Sequence, residues 1–152
     1  MKIMSFLDPK CVVFPLKSKE KKAIIRELIE VLAQNNRVKD KEEAFRSVMK
    51  RENIGSTGVG SGVAIPHGRC SAVDKLVGAI GISPEGVDFN SLDGEPVHFV
   101  FLILSPLEAT GDYLRAISAV ARFFKDRFFR ESLKNVSSAE EAIKIIKQED
   151  SF

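Results

Sequence analysis

The run "VHFVFLIL", Val97 to Leu104, constrains this chain more than any other stretch. It is apolar on both faces, so as a strand it has no side to give to water. Such a strand belongs in the middle of a sheet, with a layer packed above and below it. The rest of the chain supplies the layers. "CVVFPL" reads as a short strand stopped near Pro15, and "KLVGAIGI" as another, followed by a "SPEG" turn. "VDF" adds a short piece, and "LDGEP" marks a further turn.

Between and after these lie helical patterns. Ser18 is placed to cap a first helix, whose Ile24, Leu28, Val31 and Leu32 share one stripe; "NNR" ends it. Asp40 opens a second, with Glu43 three residues on in a capping-box pattern and Ala44, Phe45, Val48 and Met49 as its apolar side. "SPLEATGD" reads as a loop. Tyr113 to Lys125 reads as a helix with Leu114, Ile117, Ala121 and Phe124 in register, and "DRFFRESLKNV" as a shorter one. Ser138 starts the last, with Glu141 as capping partner and Ala142, Ile145 and Ile146 inside. The expected fold is α/β: a single-domain sandwich over residues 1–152, with a central mixed sheet flanked by helices on both faces.

Bulk properties narrow the function. Lysine and arginine number 23 against 21 acidic residues, a net charge of +2, too mild for a nucleic-acid binder on charge alone. No apolar run approaches the roughly 18 residues that cross a bilayer. "MKIMSFLDPK" lacks the apolar region of a secretory signal, so the cytoplasm is expected. Cys11 and Cys70 form no disulfide framework and are read as reduced thiols.

"GSTGVGSG" invites a nucleotide reading that its spacing refuses. Gly58 and Gly60 fit G-x-G-x-x-G, but Val63 stands where the third glycine is needed. Gly60 is followed by Ser61 with no lysine, so a P-loop fails. Val59 holds the first position of a G-x-S-x-G elbow around Ser61, so that fails too. What remains is a loop, leading into a strand at Val63 to Pro66, whose many backbone N–H groups can cradle an anion or simply turn the chain.

His67, in "SGVAIPHGRC", is one of two histidines. Pro66 stiffens its approach and Gly68 leaves the ring open to a partner. A neutral imidazole is a competent nitrogen nucleophile. A closed zinc site needs about four ligands, and His67 and Cys70 have no second pair nearby. No metal is expected. No local signature supports a Ser-His-Asp or Cys-His arrangement. On residue type alone, a structural histidine remains the plainer reading.

Taken together, "ENIGSTGVGSGVAIPHG", Glu52 to Gly68, resembles the phosphorylation-site signature of the fructose/mannitol-type IIA domain of the bacterial phosphotransferase system, its nitrogen-regulatory branch included. Glu52, Gly60, Val63, Ala64, Ile65, Pro66, His67 and Gly68 fall at the signature's positions, and "LDGEPVHFVFLILSP" looks like the family's central strand and flanks. The length suits a free-standing IIA domain without an attached permease.

The resemblance implies that His67 accepts a phosphoryl group from a small histidine phosphocarrier protein, HPr or its nitrogen-branch relative, and passes it on. It implies that Arg51 neutralises phosphate oxygens. Backbone N–H groups around Ser56, Thr57 and Gly58, with either hydroxyl, would complete the anion site. Downstream, it implies a sugar-specific IIB partner or, in the nitrogen-type regulators, a target protein bound according to phosphorylation state. It implies no cofactor.

One departure stands out. The family carries a second histidine at the start of the helix after the central strand, and this chain has Tyr113 there, in "GDYLRAIS". A tyrosine donates a hydrogen bond but is no imidazolium. His98, after Glu95 and Pro96, reads as a strand-end histidine and no replacement. "RFFKDRFFR" interleaves bases with aromatics; at helical spacing the phenylalanines fill the core while Arg122, Lys125 and Arg130 stay wet.

Overall fold

The computed structural model describes residues 1–152. Its strands are β1 Leu7–Val13, β2 Gly58–Gly60, β3 Val63–Ala64, β4 His67–Arg69, β5 Val77–Val87 and β6 Val97–Ser105. Its helices are α1 Lys21–Gln34, α2 Lys41–Glu52, α3 Thr110–Phe123, α4 Arg127–Lys134 and α5 Ala139–Asp150. The strands form one sheet in the order β1-β5-β6-β3-β2, with β4 also on β6. Pairing is parallel for β1/β5, β3/β6 and β4/β6, and antiparallel for β2/β3 and β5/β6. The expected α/β sandwich with a mixed sheet is the observed fold.

The strand read as central is central. Every residue of β6 except His98 is buried. Phe99 packs on Phe124 with ring centres 5.4 Å apart, and Phe101 meets Phe6 at 6.1 Å. A single apolar cluster of 43 buried residues runs through the molecule.

The parallel side of β6 positions the site. Val63 pairs with Phe99, Ala64 with Val100, His67 with Ile103, Gly68 with Leu104 and Arg69 with Ser105. The offset never changes, so β3 and β4 are one strand interrupted at Ile65–Pro66. Pro66 has no N–H to give a ladder. The Ile65 N–H turns back to the Thr57 carbonyl at 3.0 Å, while the Pro66 carbonyl still accepts from Ile103 N–H at 3.0 Å. Gly68 lets α2 lie directly against β4: a Cβ there would sit 2.5 Å from Ser47 Oγ and 3.1 Å from the α2 backbone.

Several local readings are corrected. The glycine-rich segment is more ordered than a loop, since it contains β2 and a tight turn into β3. That turn needs positive φ at Gly60 (+104°), Ser61 (+59°) and Gly62 (+77°), which explains the glycines without a ligand. "SPEG" does not end its strand. Ile82 pairs with Phe99 and Val87 with Val97, so the four residues Ser83–Gly86 bulge opposite His98 alone.

The α3 helix starts at Thr110, ahead of Tyr113, and its buried residues are Ala116, Ala119 and Val120 while Leu114 points outward. Small alanines let this helix approach the sheet, and that packing outweighs the stripe of larger residues. Ser18 caps nothing. Instead Glu27, in the second turn of α1, accepts the N–H groups of Lys17 (3.1 Å) and Ser18 (2.9 Å). Asp40 and Ser138 do cap, each accepting the N–H three residues on at 3.1 Å. The Glu43 carboxylate, however, bonds Ser71 in place of closing a capping box. Phe124 and Phe129 enter the core, but Phe128 stays 82% exposed, because the eight-residue α4 buries only one narrow face.

Candidate functional site

His67 opens β4, where the chain resumes its pairing after the proline break. The break has a chemical consequence. The Ile65 carbonyl lies outside the β6 ladder and receives the His67 Nδ1–H at 2.8 Å. A carbonyl can only accept, so the proton sits on Nδ1 and the lone pair is left on Nε2. The backbone therefore presents a neutral imidazole with its nucleophilic nitrogen free.

The ring is half-buried, and burial holds its pKa below the usual 6.5. The Ile65 hydrogen bond opposes that shift, the Arg51 charge adds to it and Glu52 opposes it. In solution the ring is expected to titrate below pH 6.5, followed by NMR, and Arg51→Gln should raise the midpoint by removing a positive neighbour. The sign carries over to folding. Below about pH 6.5 the unfolded chain binds a proton that folded His67 resists, so this stabilisation is present above that pH and is lost as pH falls through the folded value.

Arg51 and Tyr113 lie by the ring, and Arg69 lies near Tyr113, on the same strand face as His67. Arg51, in the last turn of α2, donates Nη1–H to the Gly55 carbonyl at 2.8 Å. Tyr113, in the first turn of α3, meets His67 edge-on, with ring centres 5.6 Å apart at 65°. Burial pushes its phenol up to about 12, against the pull of Arg69 and Arg51, so it remains an O–H donor at neutral pH. The Arg69 guanidinium lies 5.5 Å from the Tyr113 ring centre.

The sequence-level expectation for Ser56, Thr57 and Gly58 needs correction. Both hydroxyls and the Thr57 and Gly58 N–H groups are already engaged, and of the backbone donors of these three residues only the Ser56 N–H has no partner within the molecule. Thr57 N–H and Oγ1–H both go to the Glu52 carboxylate, at 2.9 and 2.5 Å. Ser56 Oγ donates to the Phe89 carbonyl at 2.7 Å and accepts from Gly58 N–H at 3.0 Å. These residues brace the loop that carries Arg51's partner carbonyl. Glu52, buried and also paired with Lys21 at 2.9 Å, is the centre of that brace.

Sequence reasoning singled out His67, Arg51 and Tyr113, and the fold brings all three together. It passed over Arg69, although a strand at "HGR" would have placed residues 67 and 69 on one face. His98 sits five residues before Ile103 on β6, roughly 17 Å along the strand from the level of His67. Its Nδ1 contacts the Ser83 carbonyl at 2.9 Å, and it lines a separate cleft of ≈ 400 Å³ with Arg130 and Lys134.

Residues 5–149 match the family model for the phosphoenolpyruvate-dependent sugar phosphotransferase system, EIIA 2. The chain is 35% identical over 150 residues to the fructose-specific EIIABC component of Bacillus subtilis; the match takes in 99% of this chain but 24% of that protein. It is 36% identical over 138 residues to a nitrogen regulatory protein of Bradyrhizobium diazoefficiens, covering 88% of this chain and 87% of that one. The crystal structure of nitrogen regulatory protein IIA-Ntr from Neisseria meningitidis superposes with a TM-score of 0.86 at 38% identity, over 95% and 98% of the two chains. The mannitol IIA of Escherichia coli, solved in complex with phosphorylated IIB, shares the fold with a TM-score of 0.78 at 21% identity, over 94% and 99%. No helix is long and apolar enough to cross a membrane.

Proposed function

The chain belongs to the EIIA 2 family of the phosphoenolpyruvate-dependent sugar phosphotransferase system, and from that premise we propose that His67 is its phosphoryl acceptor. The observation that carries the reading is the Nδ1–H bond to Ile65, which leaves Nε2 unprotonated and free. Nε2 attacks the phosphorus of a phosphohistidine on an HPr-like phosphocarrier. The new N–P bond forms as the donor's N–P bond breaks, and the departing imidazole takes up a proton. Arg51 neutralises the phosphoryl oxygens, and Tyr113 donates its O–H to them. Ser56, Thr57 and Gly58 act indirectly, by holding the loop. The step needs no metal or other cofactor, because the phosphoryl group arrives already activated.

The group then passes to a IIB partner in sugar phosphotransfer, with residues 1–152 acting as one IIA unit in the cytoplasm. Exposed apolar side chains rim the site. Ile54 follows α2 beside Arg51 (81% exposed), Leu107 follows β6 (56%) and Leu114 adjoins Tyr113 (58%). Such a rim around a small polar centre suits docking by another protein.

A second reading is a nitrogen-type regulator, in which the phosphorylation state of His67 selects a target protein. Its support is the 36% identity to a nitrogen regulatory protein and the 38% identity to IIA-Ntr in the structural match. Incubation with phosphoenolpyruvate, enzyme I and phosphocarrier tests the common step. The expected product carries one acid-labile, base-stable phosphate on Nε2 of His67. No phosphate, with a phosphocarrier shown to be active, would end both readings. Loss of the phosphate on adding IIB selects the carrier; a persistent phosphoprotein with phosphorylation-dependent binding selects the regulator.

A further inference from the structure

Four of the chain's arginines are ion-paired, Arg37 with Asp8 among them. Arg115 is held by Asp112, Arg127 by Glu131 and Arg26 by Glu42. Arg69 makes no ion pair. It lies two residues past His67 on β4, so both side chains leave the same face of the strand. One of its five donors goes to the neutral Thr110 hydroxyl, Nη1 to Oγ1 at 2.8 Å. Thr110 is the first residue of α3. The Tyr113 ring neighbours both His67 and Arg69, its centre 5.6 Å from that of His67 and 5.5 Å from the guanidinium, within cation–π reach. An exposed guanidinium that shares a strand face and an aromatic neighbour with His67, and is tied only to a hydroxyl, is free to change partner.

We infer that Arg69 is a phosphate-responsive positioning residue: when His67 carries a phosphoryl group, the Arg69 guanidinium leaves Thr110 for a phosphoryl oxygen and resets the first turn of α3. The inference rests on the proposed phosphorylation of His67. A phosphoryl oxygen adds charge–charge attraction and a bidentate acceptor that the neutral hydroxyl does not offer, so the exchange is downhill. The other groups that act on the His67 position are Arg51 and Glu52 from α2 and Tyr113 from α3. Asp112, the nearest acid on α3, is already held by Arg115. Leu107 and Leu114 flank the turn that moves. The phosphorylation state is therefore written onto the apolar rim that a partner protein meets.

The test compares phosphorylated wild type, Arg69→Gln and Thr110→Val. The last removes the hydroxyl but keeps the cation. The phosphoryl group is titrated by ³¹P NMR, and the backbone amides of residues 110–114 are followed on phosphorylation. Wild-type amides should shift. In Arg69→Gln the phosphoryl midpoint should rise by about one pH unit, and the helix amides should no longer respond. Thr110→Val should keep the wild-type midpoint. Equal midpoints in Arg69→Gln and wild type would overturn the inference and leave Arg69 as a tie between strand and helix. A wild type that takes up no phosphate would instead overturn the reading of His67 itself, and the role of Arg69 with it.

Discussion

His67→Gln is expected to stay folded and to take up no phosphoryl group. The two halves of that result have separate causes. The glutamine amide can still donate to the Ile65 carbonyl, which otherwise loses the N–H now 2.8 Å away. The ring it replaces is half-buried and meets Tyr113 only edge-on. The stability cost should therefore be about 1 kcal/mol, a shift of a few degrees in melting temperature. The amide nitrogen, however, has its lone pair delocalised into the carbonyl and cannot attack phosphorus. Thermal melting and phosphate incorporation should be measured on the same preparation. A folded variant that still gained an acid-labile phosphate would point to His98, the one other imidazole in the chain.

Glu52→Ala should be the most damaging single change among the charged residues. The side chain is 1% exposed and serves three donors: Thr57 N–H, Thr57 Oγ1–H and Lys21 Nζ. Truncation leaves the Thr57 groups without an acceptor in a dry environment and strands Lys21, whose side chain is 17% exposed. Breaking a buried pair this way costs about 3–5 kcal/mol. Lys21 keeps some water and lies 4.9 Å from the Phe89 ring centre, so the lower end, about 3 kcal/mol, is expected. That is a large share of a typical domain's stability and should appear as a lowered denaturant midpoint. Glu52→Gln keeps an acceptor for Thr57 and should recover part of the loss. If Glu52→Ala melts like wild type, the brace does not hold the loop.

The parts of the structure that depend on local pattern were legible. The doubly apolar "VHFVFLIL" demanded a central strand, and it is one. Asp40 and Ser138 announced helix starts because a cap is a contact between residues three apart. What was not legible depends on distant partners. Nothing near Ser18 tells that Glu27 will fold back over it, nor that Ala116 and Ala119 will outweigh Leu114 in choosing the buried face of α3. The site shows the same division. His67 and Arg51 could be picked from one continuous motif. The commitment of Thr57 to Glu52, and of Ser56 to Phe89, appears only once the loop is closed. Arg69 escaped notice because no strand was read at "HGR", and two-residue alternation has meaning only in a strand.

The unbroken register of Val63 to Arg69 along β6 also bears on kinetics. The proposed acceptor, His67, is paired to a central strand with eight of its nine residues buried, which holds it in place. Amide exchange at Ile103, whose N–H bonds the Pro66 carbonyl, should be slow and should report opening of the sheet as a whole. A partner docking here meets a surface whose backbone is already set. Encounter and orientation of the two proteins, more than rearrangement of this one, would then govern how fast the phosphoryl group changes hands.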